Sequence, residues 1–328
     1  MLGSHHIIIE SPRLKYEFTI KRFITLIQGD TATGKTTLID LIQEFARNGF
    51  QGPVRIQSDV SCSVFYGTET DWGPFISNKK NNIIFIDEGF SFIRTKAFAE
   101  SIKGTDNYYV LITREALPCL PYSINEIYGI RTSGKYHFPE KIYHEFYPIY
   151  DNKLTTQLSG KIKLITEDSK AGFTFLKAGV KDEIECISAN GNSNIYQVAR
   201  KMSQDGSVII VADGAAFGAF IDKLVKLASY NKKLALYLPE SFEWLVLKSG
   251  IINYTNLQDI IENPENYADT VKHFSWEQFF THTLESATCN DPIKKYQKNN
   301  LLPYYTESKN QEKILAQLPA QLRNIIHH

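Results

Sequence analysis

The sequence has no excess charge of either sign: Lys plus Arg and Asp plus Glu each number 36 among 328 residues. A global electrostatic pull toward nucleic acid or an anionic bilayer is therefore missing, and any polyanion binding must come from local patches. Cysteine is scarce. Cys62, Cys119, Cys186 and Cys289 share no CxxC spacing, which argues against a zinc ribbon or a disulfide framework and predicts a reducing, cytoplasmic setting. Long apolar runs are missing too. No stretch approaches the roughly 20 residues that span a bilayer, and the first residues lack the apolar core of a secretory signal, so no membrane segment is expected. No fixed-period repeat or low-complexity tract is visible. Gly3-Ser4-His5-His6 and His327-His328 resemble tag residues and are assigned no function.

What is present is an alternation. Ile7 to Glu10 and Leu14 to Ile20 are β-rich around a Ser11-Pro12-Arg13 break, predicting a hairpin. Arg22 to Gln28 is a short apolar strand that runs into a glycine loop. From Lys35 onward, Leu38, Ile39, Leu41, Ile42, Phe45 and Ala46 recur at helical spacing until Asn48-Gly49. Further strands are expected at Val54 to Gln57, Asn82 to Asp87 and Tyr108 to Thr113, with a helix from about Ser91 to Lys103. The polar stretch 151–159 predicts a domain boundary. Beyond it, strands at Lys161 to Thr166, Glu183 to Ser188, Ser207 to Ala212 and Lys233 to Leu238 alternate with four helices, the pattern of a parallel sheet covered on both faces. The expected fold class is α/β in two domains, 1–150 and 160–254, followed by a helical extension over 255–328.

Gly29-Asp30-Thr31-Ala32-Thr33-Gly34-Lys35-Thr36 fits GxxxxGK[ST] at every fixed position. A chance match in a chain of this length has odds of about one in a hundred. Glycines let the backbone aim its N–H groups inward at phosphate oxygens, and the following helix adds the positive end of its dipole. Lys35 would reach the terminal phosphates and act in catalysis, the Thr36 hydroxyl would hold Mg²⁺, and Thr37 completes the binding segment. The expected cofactors are ATP and Mg²⁺. Ile83-Ile84-Phe85-Ile86-Asp87-Glu88 is an apolar run ending in two acids, as expected of a buried parallel strand whose end opens beside the loop. It resembles a Walker B motif, which implies Asp87 at the metal and Glu88 as the catalytic carboxylate on the attacking water. Thr113 and Arg114, after the next apolar strand, are candidate γ-phosphate contacts, with Arg94 and Arg131 as competing arginines.

The opening strands resemble those of ABC-type and related ATPases. The Leu158-Ser159-Gly160 text, however, follows the Walker B strand instead of preceding it, so an ABC signature is not present, and an AAA-like or RecA-like core remains open. In the second half, Glu167-Asp168 follows the first strand, Asp213 the third, and Glu240 and Glu243 the fourth. This arrangement resembles a TOPRIM domain, and a P-loop ATPase followed by TOPRIM resembles the overcoming-lysogenization-defect (OLD) family and similar phage-defence ATPase-nucleases. The resemblance implies Glu167, Asp213 and Glu243 as metal ligands and Lys248 as a phosphate contact. It departs in two places: Asp213-Gly214-Ala215 stands where DxD is expected, and Asp168 stands where glycine usually follows the first glutamate. Asp168 is the candidate substitute for the missing carboxylate. The implied function is Mg²⁺-dependent ATP hydrolysis coupled to cleavage of DNA or RNA by a homo-oligomer or a partnered protein. The alternatives are an ATP-switched regulatory protein with an inactive second domain and a small-molecule kinase. Lys294-Lys295-Tyr296-Gln297-Lys298 with Tyr304-Tyr305 is either a single-strand-binding patch or a charged helix end.

Overall fold

A computed structural model describes residues 1–29, 34–137, 141–150, 158 and 160–327, with backbone alone at 133–137. Asp30, Thr31, Ala32 and Thr33, at the centre of the glycine loop, and most of the expected boundary at 151–159 lie outside the described residues. Residues 1–151 with 265–275 form one compact unit, and 152–264 with 276–328 form another. The helical extension expected over 255–328 is thus divided between the two. His5 is buried in the first strand, with Nδ1 bonded to the Asp59 carboxylate at 2.8 Å. His327 bonds the Gly179 carbonyl at 2.9 Å. Both side chains are packed within their folded units.

Among the described residues, the first unit holds nine strands: β1 (His5–Glu10), β2 (Leu14–Ile20), β3 (Ile24–Ile27), β4 (Arg55–Gln57), β5 (Ser61–Val64), β6 (Asn82–Ile86), β7 (Asn107–Ile112), β8 (Ile127–His137) and β9 (Lys141–Pro148). Their order in one mixed sheet is β4-β1-β2-β9-β8-β3-β7-β6-β5. The stretch β8-β3-β7-β6-β5 is parallel throughout. β1 and β2 form the expected hairpin, and β9, parallel to β2 and antiparallel to β8, joins the hairpin to the parallel part. The chemistry of each strand fits its place. β3, β6 and β7 are buried along their whole length, as uninterrupted apolar runs require. The hairpin alternates, placing Ile7, Ile9, Tyr16, Phe18 and Ile20 in the core. Helix α1 (Lys35–Asn48) covers this core with Leu38, Ile39, Leu41 and Ile42. Two short helices, α2 (Trp72–Ser77) and α3 (Lys96–Ile102), follow. The helix expected from Ser91 breaks at Thr95, whose hydroxyl caps α3 by accepting from the Phe98 N–H.

Among the described residues, the second unit has four strands, β10 (Ile162–Thr166), β11 (Glu185–Ser188), β12 (Ser207–Val211) and β13 (Leu234–Tyr237), all parallel, in the order β11-β10-β12-β13. Helices α4 (Ala171–Gly179), α5 (Asn192–Met202), α6 (Gly218–Tyr230) and α7 (Phe242–Lys248) connect and follow them. α8 (Leu257–Glu262), α9 (Trp276–Thr288), α10 (Ser308–Leu315) and α11 (Ala320–Ile326) complete the unit. The chain runs from β10 to one side and then returns to the other, so the order reverses between β10 and β12. Ligands of open α/β sheets bind outside the carboxyl ends at such a reversal.

The two residues after Asp213 are tightly packed. A Cβ on Gly214 would lie 2.5 Å from the Leu238 carbonyl oxygen and 2.9 Å from that of Pro239. Ala215 is only 2% exposed, so a carboxylate there would be buried. Gly214→Ala is expected to cost about 1–3 kcal/mol and to lower the unfolding midpoint by several degrees in a denaturation experiment. An unchanged midpoint would show that the β12 and β13 ends separate without cost.

Candidate functional sites

In the first unit, Ile27 is level with Ile112, and Ile86 with Leu111. Gly29, Asp87-Glu88 and Thr113-Arg114 therefore leave the sheet together, at the carboxyl edge of β3, β6 and β7. Gly34 heads α1 with φ +94°, a left-handed conformation that favours glycine. A Cβ there would meet the Tyr16 hydroxyl at 2.7 Å. That hydroxyl donates to the Gly34 carbonyl at 2.9 Å, and the Tyr16 ring stacks on His144 with centroids 4.5 Å apart. Lys35 is 6% exposed, and its ammonium donates to the Gly29 carbonyl at 2.7 Å, spanning the loop from end to end. Thr36 is exposed in the first turn of α1, whereas Thr37 is hydrogen-bonded to Tyr16.

Asp87 and Glu88 are partly buried. Asp87 Oδ1 accepts the Glu88 N–H at 2.8 Å. The Glu88 carboxylate receives two parallel N–H bonds from the Arg114 guanidinium, both 2.9 Å, the fork geometry that fixes both partners. Thr113 is 1% exposed, and its hydroxyl donates to the Glu115 carbonyl and accepts the Glu115 N–H. The hydroxyl is thus engaged by the main chain two residues on. Arg94 pairs with Glu115, and Arg131 with Glu145 across β8 and β9. Of the three candidate arginines, Arg114 alone pairs with an acid of the motif.

In the second unit, Thr166 is level with Val211, which sets Glu167 and Asp213 side by side at the reversal between β10 and β12. Glu277, in the first turn of α9, joins them. One carboxylate oxygen from each of these three lies within 4.8 Å of the others. Of the expected set Glu167, Asp168, Asp213 and Glu243, this trio contains Glu167 and Asp213, while Asp168 and Glu243 line the same cavity. Asp168 accepts the Lys170 N–H at 2.9 Å and faces the Lys170 ammonium, and Glu277 is an acid of the trio that the sequence reading did not include. Asp213 stays by accepting the Phe242 N–H at the head of α7. Glu243, 1% exposed, borders the group and accepts the Tyr296 hydroxyl at 2.7 Å.

Lys298 was also missed as a site residue. Its ammonium lies 2.7 Å from Glu277 and 3.8 Å from both Asp213 and Glu243. Burial opposes its charge, but Glu243, Asp213 and Glu277 outweigh burial and raise its pKa. Crowding has the opposite meaning for the acids. Burial, then Glu277 and Asp168, push the Glu167 carboxyl up to about 7. Burial, then Glu167, Glu277 and Glu243, hold Asp213 well above the usual carboxylate range. Even so, Glu167 Oε2 and Glu243 Oε2 are buried without a hydrogen-bond partner. A cavity of about 50 Å³ opens here, lined on its other side by Phe173, Phe175, Leu176 and Leu318. That volume holds a few waters.

The expected patch at 294–298 with Tyr304-Tyr305 does not form a stacking platform. Tyr296 and Tyr305 are buried, and Tyr305 donates its hydroxyl to the Lys294 carbonyl. Lys248 lies over the Trp244 ring, 4.5 Å from its centroid. The sequence matches no protein-family model and no curated protein.

Proposed function

We propose that this chain is an ATP-dependent nuclease: the first unit binds and hydrolyses ATP with Mg²⁺, and the second cleaves a phosphodiester with a divalent metal. The observation that carries the second half is the convergence of Glu167, Asp213 and Glu277 at the strand-order reversal. Hard carboxylate oxygens suit Mg²⁺ or Mn²⁺, and the orphaned buried oxygens of Glu167 and Glu243 are a demand for positive charge. Glu167, Asp213 and Glu277 would hold the ion, which supplies polarisation of a phosphoryl oxygen and a more acidic water. The protein supplies the positioning. The Asp213 main-chain N–H bonds the Glu167 carboxylate, α7 orients Asp213, and Tyr296 orients Glu243.

For the first unit, support comes from the phosphate-loop sequence together with the shared edge of β3, β6 and β7. Lys35 would exchange the Gly29 carbonyl for phosphate oxygens, Thr36 and Asp87 would serve Mg²⁺, and Glu88 would orient the attacking water. Charge-assisted bonds of the Lys35 type contribute about 1.5–3 kcal/mol. Lys35→Ala should therefore weaken ATP binding roughly 10- to 150-fold in calorimetry, with secondary structure retained by circular dichroism. Undiminished binding would remove the nucleotide reading. Incubating labelled single- and double-stranded DNA and RNA with Mg²⁺ or Mn²⁺, with and without ATP, tests the nuclease reading. No cleavage under any of these conditions would overturn it. Lys298 amid the acids favours a second reading, in which an ion-pair network makes this unit a nucleotide-switched interaction domain. That reading predicts no bound metal and an ATP-dependent change in oligomeric state or partner binding.

A further inference from the structure

The acidic cluster already contains a cation of its own, and its placement has a consequence for metal loading. The Lys298 ammonium makes one short contact, 2.7 Å to Glu277, and two longer ones to Asp213 and Glu243. Two of these three acids, Glu277 and Asp213, belong to the trio suited to a metal. A divalent ion held by Glu277 and Asp213 would sit within a few ångströms of the ammonium, and like charges that close repel strongly in a partly buried site. The single positive charge also under-serves the cluster. Glu243 is 1% exposed, and its Oε2 is buried without a partner, as is Glu167 Oε2.

The main chain of Lys298 is pinned. Its carbonyl accepts the Ala171 N–H at the head of α4, and two residues earlier the Tyr296 N–H donates to the Thr288 hydroxyl. Any withdrawal from Glu277 must therefore be a swing of the flexible four-carbon side chain. Among the described residues of this cluster, no other basic side chain is within ion-pair distance of Asp213, Glu243 or Glu277.

We propose that Lys298 is the resident counter-ion of this site, and that divalent metal binds only as the Lys298 side chain leaves Glu277 and Asp213. The residue thereby sets metal affinity: it stabilises the metal-free unit and holds off cations at low concentration. This inference rests on the metal-site reading above, and the test separates the two.

Mn²⁺ binding is measured by calorimetry and by the free-ion electron paramagnetic resonance signal for wild type, Lys298→Met, Lys298→Gln and the control Lys295→Met. The expected result is affinity at least about tenfold tighter in both Lys298 variants and unchanged in the control. Wild-type binding with equal or weaker binding by the Lys298 variants overturns the counter-ion role while leaving the metal site intact. Absence of Mn²⁺ binding in every protein overturns the metal-site reading itself, and this inference with it. Should the variants fail to fold, amine acetylation of wild type followed by peptide mass spectrometry decides the matter. Lys298 labelling is expected to rise on addition of Mn²⁺ while Lys295 labelling stays constant. Labelling of Lys298 that does not change with Mn²⁺ overturns the proposal.

Discussion

Conversion of Asp213 to asparagine is expected to lower metal-dependent phosphodiester cleavage by at least about a hundredfold while leaving the second unit folded. Asparagine keeps an Oδ1 that can accept the Phe242 N–H, so α7 retains its anchor. What is lost is one negative charge from the trio that would hold the ion. The same change relieves repulsion. Asp213 is crowded by Glu167, Glu277 and Glu243, which together with burial disfavour its ionised form. The metal-free variant should therefore melt higher than wild type and gain less stability from added Mn²⁺, the pattern of a site kept at a stability cost for its chemistry. Glu277→Gln should lose cleavage to a similar degree. Asp168→Asn should keep it within about twofold, because Asp168 is turned to Lys170 and surface ion pairs contribute little. Fluorescent oligonucleotide cleavage, Mn²⁺ titration and thermal melts on the three variants provide the measurements. Equal cleavage by Asp213→Asn and wild type would remove this carboxylate from the site.

Glu277 also marks where sequence reasoning stopped. Residues whose position follows from local periodicity were legible. The apolar runs of β3, β6, β7, β10 and β12 read directly as buried parallel strands, and α1 followed from its spacing. Their parallel registers then placed the ends of β10 and β12 on one edge, which is why Glu167 and Asp213 could be paired from the text alone. Glu277 and Lys298 could not. They arrive from a helix and a loop far along the chain, and an acid in a first helical turn looks like ordinary dipole compensation. Lys298 was masked by its neighbours, since 294–298 has the composition of a solvated basic patch. Only tertiary packing reveals that Tyr296 is buried and that Lys298 faces carboxylates. The long β8–β9 pair was missed for another reason. Tyr, Arg, Lys and His interrupt β8, and Lys, Tyr, His and Glu interrupt β9, so the alternation that marks a half-buried strand is blurred. β9 nevertheless carries His144 to the head of α1, where its ring stacks on Tyr16 beside Gly34.

In the first unit the largest effect is expected from Glu88→Gln: ATP turnover reduced by about a hundredfold or more, with nucleotide affinity near that of wild type. Glutamine preserves the size of the side chain and one acceptor oxygen but cannot take a proton or hold an attacking water as a carboxylate does. The structure adds a partner to this assignment. Both Glu88 oxygens are engaged by Arg114, so the carboxylate is aimed by a guanidinium at the end of the neighbouring strand. Removing that guide should disperse Glu88 over several rotamers without removing its charge. Arg114→Ala is therefore expected to slow turnover by only about tenfold, and the double variant should be no slower than Glu88→Gln alone, because the arginine acts through the acid. Phosphate release without an added acceptor, together with binding of a slowly hydrolysed analogue, distinguishes turnover from affinity in all three proteins. Additive losses in the double variant would assign Arg114 a contact with the nucleotide itself, and undiminished turnover by Glu88→Gln would withdraw the catalytic role from this carboxylate.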